Sequence, residues 1–285
     1  MRHPPLTRPT GLVGAWPPPL IAVAHGSSDP RAASAVTELM GLVRARAAVA
    51  GLPGLQAQAA YLGHALPSVP DALAALCPAD CPDEPERYAR TAVVLPLLLT
   101  AAYHSDADLP AVLARAGARL PGLRISYGQP LGSHQGLLRA LDRRLAEACV
   151  PIAAPATAGT AIVLAAAGSS RPAANAAVAR TAAAWQQAGG WASVVPAYAS
   201  AAGPRPGDAV ASLLRAGAQR VAVATYLLAP GVFADQIRER SLAAGASAVS
   251  APLGAAPEVA DVIVERYLQA ARKDRDHYHP GLAAN

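Results

Sequence analysis

Aromatic and charged residues are scarce in this 285-residue chain, at 4% and 15% of its residues. It has no run of five or more basic residues and no aromatic residues interleaved with basic ones, which argues against nucleic acid as a partner. Cysteine occurs only three times, an odd number, and residues 1–20 are rich in proline and lack an apolar leader. These features predict reduced thiols and a cytoplasmic location.

Apolar residues are plentiful by contrast: they make up 53% of the chain, much of it alanine, which suffices for a globular core. The net charge of +5 favours an anionic ligand. The uncharged stretch 150–168 has the length of a membrane span, but its prolines, glycines and threonines interrupt it. We therefore expect no membrane partner.

Strand-like and helix-like patterns alternate through the first half of the chain. The predicted strands are 20–24, 55–61, 92–99 and 124–127, and the predicted helices are 32–49, 69–76, 106–118 and 136–149. Ser27–Pro30 is a typical helix start, because Ser or Asp can cap the helix and proline fits its first position. Such alternation predicts a parallel sheet with helices on both faces.

The second half repeats four landmarks of the first half in the same order. They are Ala24-His25-Gly26-Ser27-Ser28 with Ala166-Ala167-Gly168-Ser169-Ser170, Ala60-Tyr61 with Ala197-Tyr198, Leu97-Leu98-Leu99 with Tyr226-Leu227-Leu228, and Pro130-Leu131-Gly132 with Pro252-Leu253-Gly254. The repeat predicts an α/β protein of two tandem flavodoxin-like domains, each a mostly parallel four-stranded sheet flanked by helices. Its predicted divisions are a proline-rich arm (1–18), a first domain (19–150), a linker (151–160), a second domain (161–271) and a charged tail (272–285).

Histidine distinguishes the two copies. His25 corresponds to Ala167, and His104 corresponds to Phe233 when Asp106 is aligned with Asp235. No histidine occurs between residues 151 and 276. Histidine is therefore predicted to be dispensable for folding this domain and tied to a task of the first half alone.

Both histidines follow strands that neighbour each other in the strand order 2-1-3-4, so His25 and His104 are expected to face one crevice. Imidazole binds divalent iron, cobalt, nickel and zinc, and it transfers protons near neutral pH. Two histidines alone form an open site, which suits a metal ion that is handed on.

These motifs resemble the sirohydrochlorin chelatases, the class II chelatases of sirohaem and cobalamin synthesis. The similar stretches are His25-Gly26-Ser27-Ser28 after a strand, Pro96–Leu99 through Tyr103-His104 to Asp106 and Asp108-Leu109-Pro110, and Pro130-Leu131-Gly132. The resemblance covers most of residues 20–148, and the second half is similar to that of long members whose second copy lacks the histidines. It implies a sirohydrochlorin ferrochelatase or cobaltochelatase in which His25 and His104 hold the incoming metal or accept the pyrrole protons.

The same resemblance implies that Fe²⁺, Co²⁺ or Ni²⁺ is a substrate and that no permanent cofactor is needed. The other substrate is a tetrapyrrole rich in carboxylates, for which Gly26, Ser27, Ser28 and the first free amides of the following helix offer an anion site. Arg31 adds positive charge there or is a solvated helix residue. Tyr103 stacks on the macrocycle or closes the core. The two halves together would form the cleft within one chain, which favours a monomer.

One position departs from the family pattern. Many members carry an acidic residue after an aromatic-leucine pair, whereas Tyr61-Leu62 is here followed by Gly63 and His64. His64 is a candidate third metal ligand, or an exposed histidine in the turn before Pro67. The missing carboxylate leaves open a non-catalytic metal or tetrapyrrole carrier. A phosphohydrolase with a histidine nucleophile is disfavoured, because Ala24 rather than arginine precedes His25.

Overall fold

The computed structural model describes residues 17–77, 90–100, 109–120, 122–132, 134–152 and 156–278, which form two four-stranded parallel sheets. The strands of the first sheet are β1 (Leu20–Ala24), β2 (Ala57–Tyr61), β3 (Arg90–Pro96) and β4 (Leu123–Tyr127). Those of the second are β5 (Thr160–Ala166), β6 (Ser193–Tyr198), β7 (Arg220–Tyr226) and β8 (Ala248–Val249). Their orders, β2-β1-β3-β4 and β6-β5-β7-β8, confirm the predicted fold class and show that both halves have one topology.

Eight helices lie in the described part of the chain, with a short 3₁₀ turn at Ala156–Gly159. They are α1 (Pro30–Val49), α2 (Val69–Ala74), α3 (Leu109–Arg119), α4 (Gln135–Glu147), α5 (Pro172–Gly189), α6 (Pro206–Arg215), α7 (Val232–Ala243) and α8 (Pro257–Tyr278). Helix α1 begins as predicted, with Asp29 as the N-cap and Pro30 in the first turn. None of the helices described here is long and apolar enough to cross a membrane.

The central strands β1 and β5 are covered on both faces, which explains why their sequences are uninterrupted apolar runs. Side chains of β1 alternate between two cores: Leu20 and Ala22 belong to one, and Ile21 and Val23 to the other. Strand β5 repeats this alternation. Each sheet therefore has one face toward the partner half and one face away from it.

A single core fills the space between the two sheets and contains residues from both halves. Helices α1, α4, α5 and α8 contribute its helical side chains. Helices α2 and α3 cover the outer face of the first sheet, and α6 and α7 cover that of the second. The two repeats are thus joined by a common interior rather than by a surface contact.

Helix α8 belongs to the second half in sequence but packs against α1, α4, β3 and β4 of the first. Helix α4 in turn contacts β7 of the second sheet. The consecutive residues Val262, Ile263 and Val264 are all buried, as expected of a helix surrounded by protein. The helix continues to Tyr278, past residue 271 where the sequence predicted the second domain to end.

Hydrogen bonds stabilise the positions of the helices that pack across the two halves. The Tyr267 hydroxyl, fully buried, donates to the Pro18 carbonyl at 2.8 Å. The Trp185 indole of α5 donates to Asp142 of α4 at 3.0 Å, although burial still raises the pKa of that carboxyl. At the surface, the Arg143 guanidinium donates hydrogen bonds to both carboxylate oxygens of Glu258. These hydrogen bonds keep the pKa of Glu258 below its usual value.

The crossing of α4 and α8 generates a prediction at Gly136. A β-carbon there would lie 2.5 Å from Cγ2 of Val262. Glycine-to-alanine changes inside helices usually stabilise by up to about 1 kcal/mol, but this clash should make Gly136→Ala destabilising by about 1–3 kcal/mol. Equilibrium denaturation measures the free energy of unfolding.

Two controls make this test specific. Val262→Ala removes the clashing methyl group. The loss of unfolding free energy in the double variant should therefore be smaller than the sum of the losses in the two single variants. Gly41→Ala in α1 meets only a flexible arginine tip at 3.9 Å and should not destabilise. A stabilising Gly136→Ala in the wild-type background would contradict the packing described here.

Candidate active site

A cavity of about 350 Å³ opens between the two halves at the carboxyl ends of the strands. The first half lines it with the turn after β1, from Ala24 to Ser27, and with Leu97 and Leu98 after β3. The second half lines it with residues 227–234, which follow β7. This is the edge at which open α/β sheets bind ligands.

The turn after β1 is fixed by its close approach to the turn after β2. Gly26 has φ +92°, and a β-carbon there would lie 1.7 Å from the Gly63 carbonyl oxygen. The Gly63 amide donates to the His25 carbonyl at 3.1 Å. Only glycine fits this place, so the turn that follows His25 depends on Gly26.

The second half builds the same turn without histidine. Gly168 has φ +85°, and its β-carbon would lie 2.1 Å from the Ser200 carbonyl oxygen. The Ser200 amide donates to the Ala167 carbonyl at 2.8 Å. Since Ala167 holds the position equivalent to His25, the turn does not require an imidazole.

His25 ends the central strand and stands exposed in the cavity wall. Strand β3 is its direct neighbour: β1 and β3 pair in parallel, and the Leu97 amide donates to the Val23 carbonyl at 2.7 Å. The predicted adjacency of the two strands is therefore confirmed. Tyr103 and His104, which follow β3 in sequence, lie outside the described residues.

The third motif holds the chain that leads out of β3. The Leu131 amide donates to the Leu98 carbonyl at 3.0 Å, and a β-carbon on Gly132 would lie 2.2 Å from the Leu99 carbonyl oxygen. In the second half, the Leu253 amide donates to the Leu227 carbonyl at 2.8 Å. Pro-Leu-Gly thus shapes the cavity wall through its backbone.

The predicted anion site at the start of α1 is only partly present. Ser27 lines the cavity, and its hydroxyl oxygen accepts the Asp29 amide at 3.1 Å. Asp29 in turn accepts the Arg31 amide at 2.9 Å, and Pro30 has no amide hydrogen. The expectation that the first amides of the helix are free is wrong, because the chain caps its own helix with Asp29.

Arg31 joins the two halves beside the cavity. Its Nη2 lies 2.6 Å from Asp29 Oδ2 and 2.6 Å from Asp235 Oδ2 of α7. Neither Arg31 nor Ser28 is among the described residues that line the cavity. Arg31 therefore forms an ion pair between the two halves, and its guanidinium is already paired with two carboxylates beside the cavity.

His64, the candidate third ligand, is exposed and is not among the described cavity-lining residues. Its backbone is left-handed, with φ 60°, as is that of Ala201 at φ 55° in the second half. Across the described part of the chain, no three His, Cys, Asp or Glu side chains are grouped closely enough to hold a metal ion. A ligand role for His64 therefore rests on the sequence alone.

Two cavity residues were missed by the sequence analysis as part of the site. Val232 and Phe233 begin α7, line the cavity and remain 66% and 42% exposed. The available signal was that Phe233 is the only phenylalanine of the chain and that the repeat aligns it with His104.

Strand order, duplication and a cavity at the strand ends define a tandem α/β protein with a cavity between its repeats. The sequence model of the CbiX family matches residues 19–148 and 161–270, and the chain belongs to this family. The predicted family resemblance is thereby confirmed.

Named relatives agree with this assignment, and a solved structure shares the fold. The chain is 30% identical over 152 residues to a sirohydrochlorin cobaltochelatase of Priestia megaterium, covering 53% of this chain and 49% of that one. It is 30% identical over 144 residues to a sirohydrochlorin ferrochelatase of Bacillus subtilis, covering 50% and 53%. The matches thus span about half the length of these curated relatives. The structure of SirB from Bacillus subtilis with Fe³⁺ superimposes with a TM-score of 0.69 at 23% identity, covering 90% of this chain and 96% of that one, and shares the fold.

The ion pairs of Arg31 generate a prediction about Asp29. The hydrogen bond from the Arg31 side chain is the main reason why the pKa of Asp29 lies below its usual value. In Arg31→Gln that pKa should rise, whereas in Asp235→Asn it should stay low because the Asp29–Arg31 contacts remain. A carboxyl ¹³C NMR titration measures both.

The lowered pKa of Asp29 also predicts how the stability of the protein depends on pH. A carboxyl whose pKa is lower in the folded state contributes stability at neutral pH, and this is lost as the pH falls through the folded value. Arg31→Gln should therefore weaken the acid dependence of unfolding. Equal Asp29 titration in the two variants would show that Arg31 is not the cause.

Proposed function

We propose that this protein inserts a divalent metal ion, Fe²⁺ or Co²⁺, into sirohydrochlorin. Membership of the CbiX family and the names of its relatives support the reaction class. The observation that carries the proposal is the position of His25, at the end of β1 in the wall of an interdomain cavity. The metal serves as a substrate, and Ni²⁺ is a further candidate for it.

The chemistry requires few groups. One M²⁺ replaces the two protons of two pyrrole N–H groups, so charge is conserved when two protons leave. Imidazole can accept a proton near neutral pH, and it can bind iron or cobalt ions. His25 is proposed for both tasks together with His104. A pair of imidazoles leaves coordination positions open, which allows the ion to be passed to the macrocycle.

The substrate carboxylates need hydrogen-bond donors at the rim of the cavity. Ser27 accepts the Asp29 amide through its hydroxyl oxygen, and its own hydroxyl proton is proposed to be donated to a substrate carboxylate. Gly26 is proposed to contact the substrate through its backbone, because the Gly63 carbonyl occupies the space that a side chain would need. Ser28 and Arg31 are proposed to meet only carboxylates that extend beyond the rim, and Tyr103 remains the proposed stacking residue of the first half. The cleft within one chain keeps a monomer as the expected state.

Substitution of the histidines tests the proposal. His25→Ala should reduce metal insertion by about 10²-fold or more, and His104→Ala should act similarly. The fold should persist, because Ala167 forms the equivalent turn. The assay follows the visible spectrum of sirohydrochlorin with Fe²⁺, Co²⁺ or Ni²⁺ under anaerobic conditions.

His64→Ala is the matched control, since it removes an exposed imidazole from the adjacent turn outside the cavity lining. Because its imidazole is not among the described cavity-lining side chains, His64→Ala should lower turnover far less than His25→Ala does. Wild-type rates in His25→Ala, or equal losses in His25→Ala and His64→Ala, would overturn the assignment.

A carrier that binds the metal or the tetrapyrrole without catalysis is the second candidate. The observation that favours it is Gly63, which supplies no carboxylate beside His25. A carrier would bind sirohydrochlorin and metal without producing the spectrum of the metallated ring. The same anaerobic assay therefore separates the two functions.

The missing carboxylate can be restored. A β-carbon on Gly63 would meet no atom within 4 Å, so a side chain fits there. Gly63→Glu should change the relative rates with Fe²⁺, Co²⁺ and Ni²⁺, because a carboxylate adds an oxygen ligand or a proton acceptor. Gly63→Gln controls for size without charge, and identical kinetics in both variants would exclude a role for the acid.

A further inference from the structure

The two walls of the cavity differ in chemical character. The first-half wall includes the polar side chains of His25, Ser27 and Tyr61 among apolar ones such as Val36 and Leu97, whereas none of the lining residues 227–234 of the second half has a polar side chain. The second-half wall presents Val232 and Phe233, which are 66% and 42% exposed. Adjacent exposed apolar side chains in a cleft gain free energy when a ligand removes them from water.

The walls approach each other closely. A β-carbon on Gly231 would lie 4.0 Å from the Ser27 hydroxyl oxygen, so the two walls nearly meet at this point. The Arg31–Asp235 ion pair, at 2.6 Å, joins the first turns of α1 and α7 beside it. Phe233 lies between Gly231 and Asp235 in sequence, so it belongs to a segment that approaches the first half at both of these residues.

We propose that Phe233, assisted by Val232, is the platform for the face of the tetrapyrrole that lies away from His25. The inference rests on the proposed function and deepens it. A tetrapyrrole is planar, with apolar π faces and carboxylates at its edge. Metal and protons exchange on the face toward the imidazole, while the opposite face gains from aromatic stacking and exclusion of water.

This platform gives the second half a defined task. In sequence, the repeat aligns Phe233 with His104. In this scheme the first copy supplies the imidazole of His25 on one side of the ring, and the second copy supplies the apolar support on the other. Phe233 is a binding residue in this scheme and takes no part in proton transfer.

Calorimetric titration of the protein with metal-free sirohydrochlorin tests the platform without requiring turnover. Phe233→Ala should weaken binding by about tenfold, and Phe233→Trp should restore it. In the insertion assay, Phe233→Ala should raise KM for sirohydrochlorin while leaving KM for the metal unchanged. His25→Ala should instead lower kcat.

Leu242→Ala is the matched control, because Leu242 lies on the same helix α7, is also 42% exposed and is not among the described cavity-lining residues. It should bind sirohydrochlorin as the wild type does. Wild-type affinity in Phe233→Ala, or equal weakening in Leu242→Ala, would overturn the platform.

The outcomes separate this inference from the proposed function. If the wild-type protein binds sirohydrochlorin but does not insert metal, the enzyme assignment fails, and loss of binding in Phe233→Ala still supports the platform. If Phe233→Ala binds normally while His25→Ala loses turnover, the platform fails and the enzyme assignment stands. Absence of binding by the wild type would refute both.

Discussion

The apolar core shared by the two sheets is the interaction on which the rest of the molecule depends. Helix α8 leaves the second half to pack on β3 and β4, and α4 leaves the first to contact β7. Neither half can then bury its inner face alone, since both contribute to one cluster. Because protein interiors are close-packed, the helices that pack across the two halves fix the relative position of the sheets. That position determines the width of the cavity at the carboxyl ends of the strands.

The sequence was most informative where a local pattern determines a local structure. The start of α1 followed from Asp29-Pro30, and a parallel sheet in each half followed from alternation and the repeat. Together with a flavodoxin-like strand order, these features predicted the cleft beside His25 from the sequence alone. The path of α8 could not be predicted, because an apolar helix reveals that it is buried but not which sheet covers it. Partners such as Arg31 and Asp235, 204 residues apart, depend on that same packing.

Physical competition accounts for the part of the site that was predicted wrongly. A helix start with free amides attracts anions, but here the nearest anion is Asp29 of the chain itself. Arg31 is in turn neutralised by two carboxylates. The cleft therefore presents less fixed positive charge than the residue types alone suggest, and its apolar wall gains importance for a flat ligand.

The paired glycine turns separate two kinds of constraint. At Gly26 and Gly168 the backbone passes so close to the next loop that no side chain fits, yet the preceding residue is His25 in one copy and Ala167 in the other. Folding of the turn requires the glycine, whereas the chemistry of the site depends on the residue that precedes it. A duplicated chain of this kind can gain or lose a reactive group by a single substitution without altering its frame, so specialisation of one repeat demands little of the architecture.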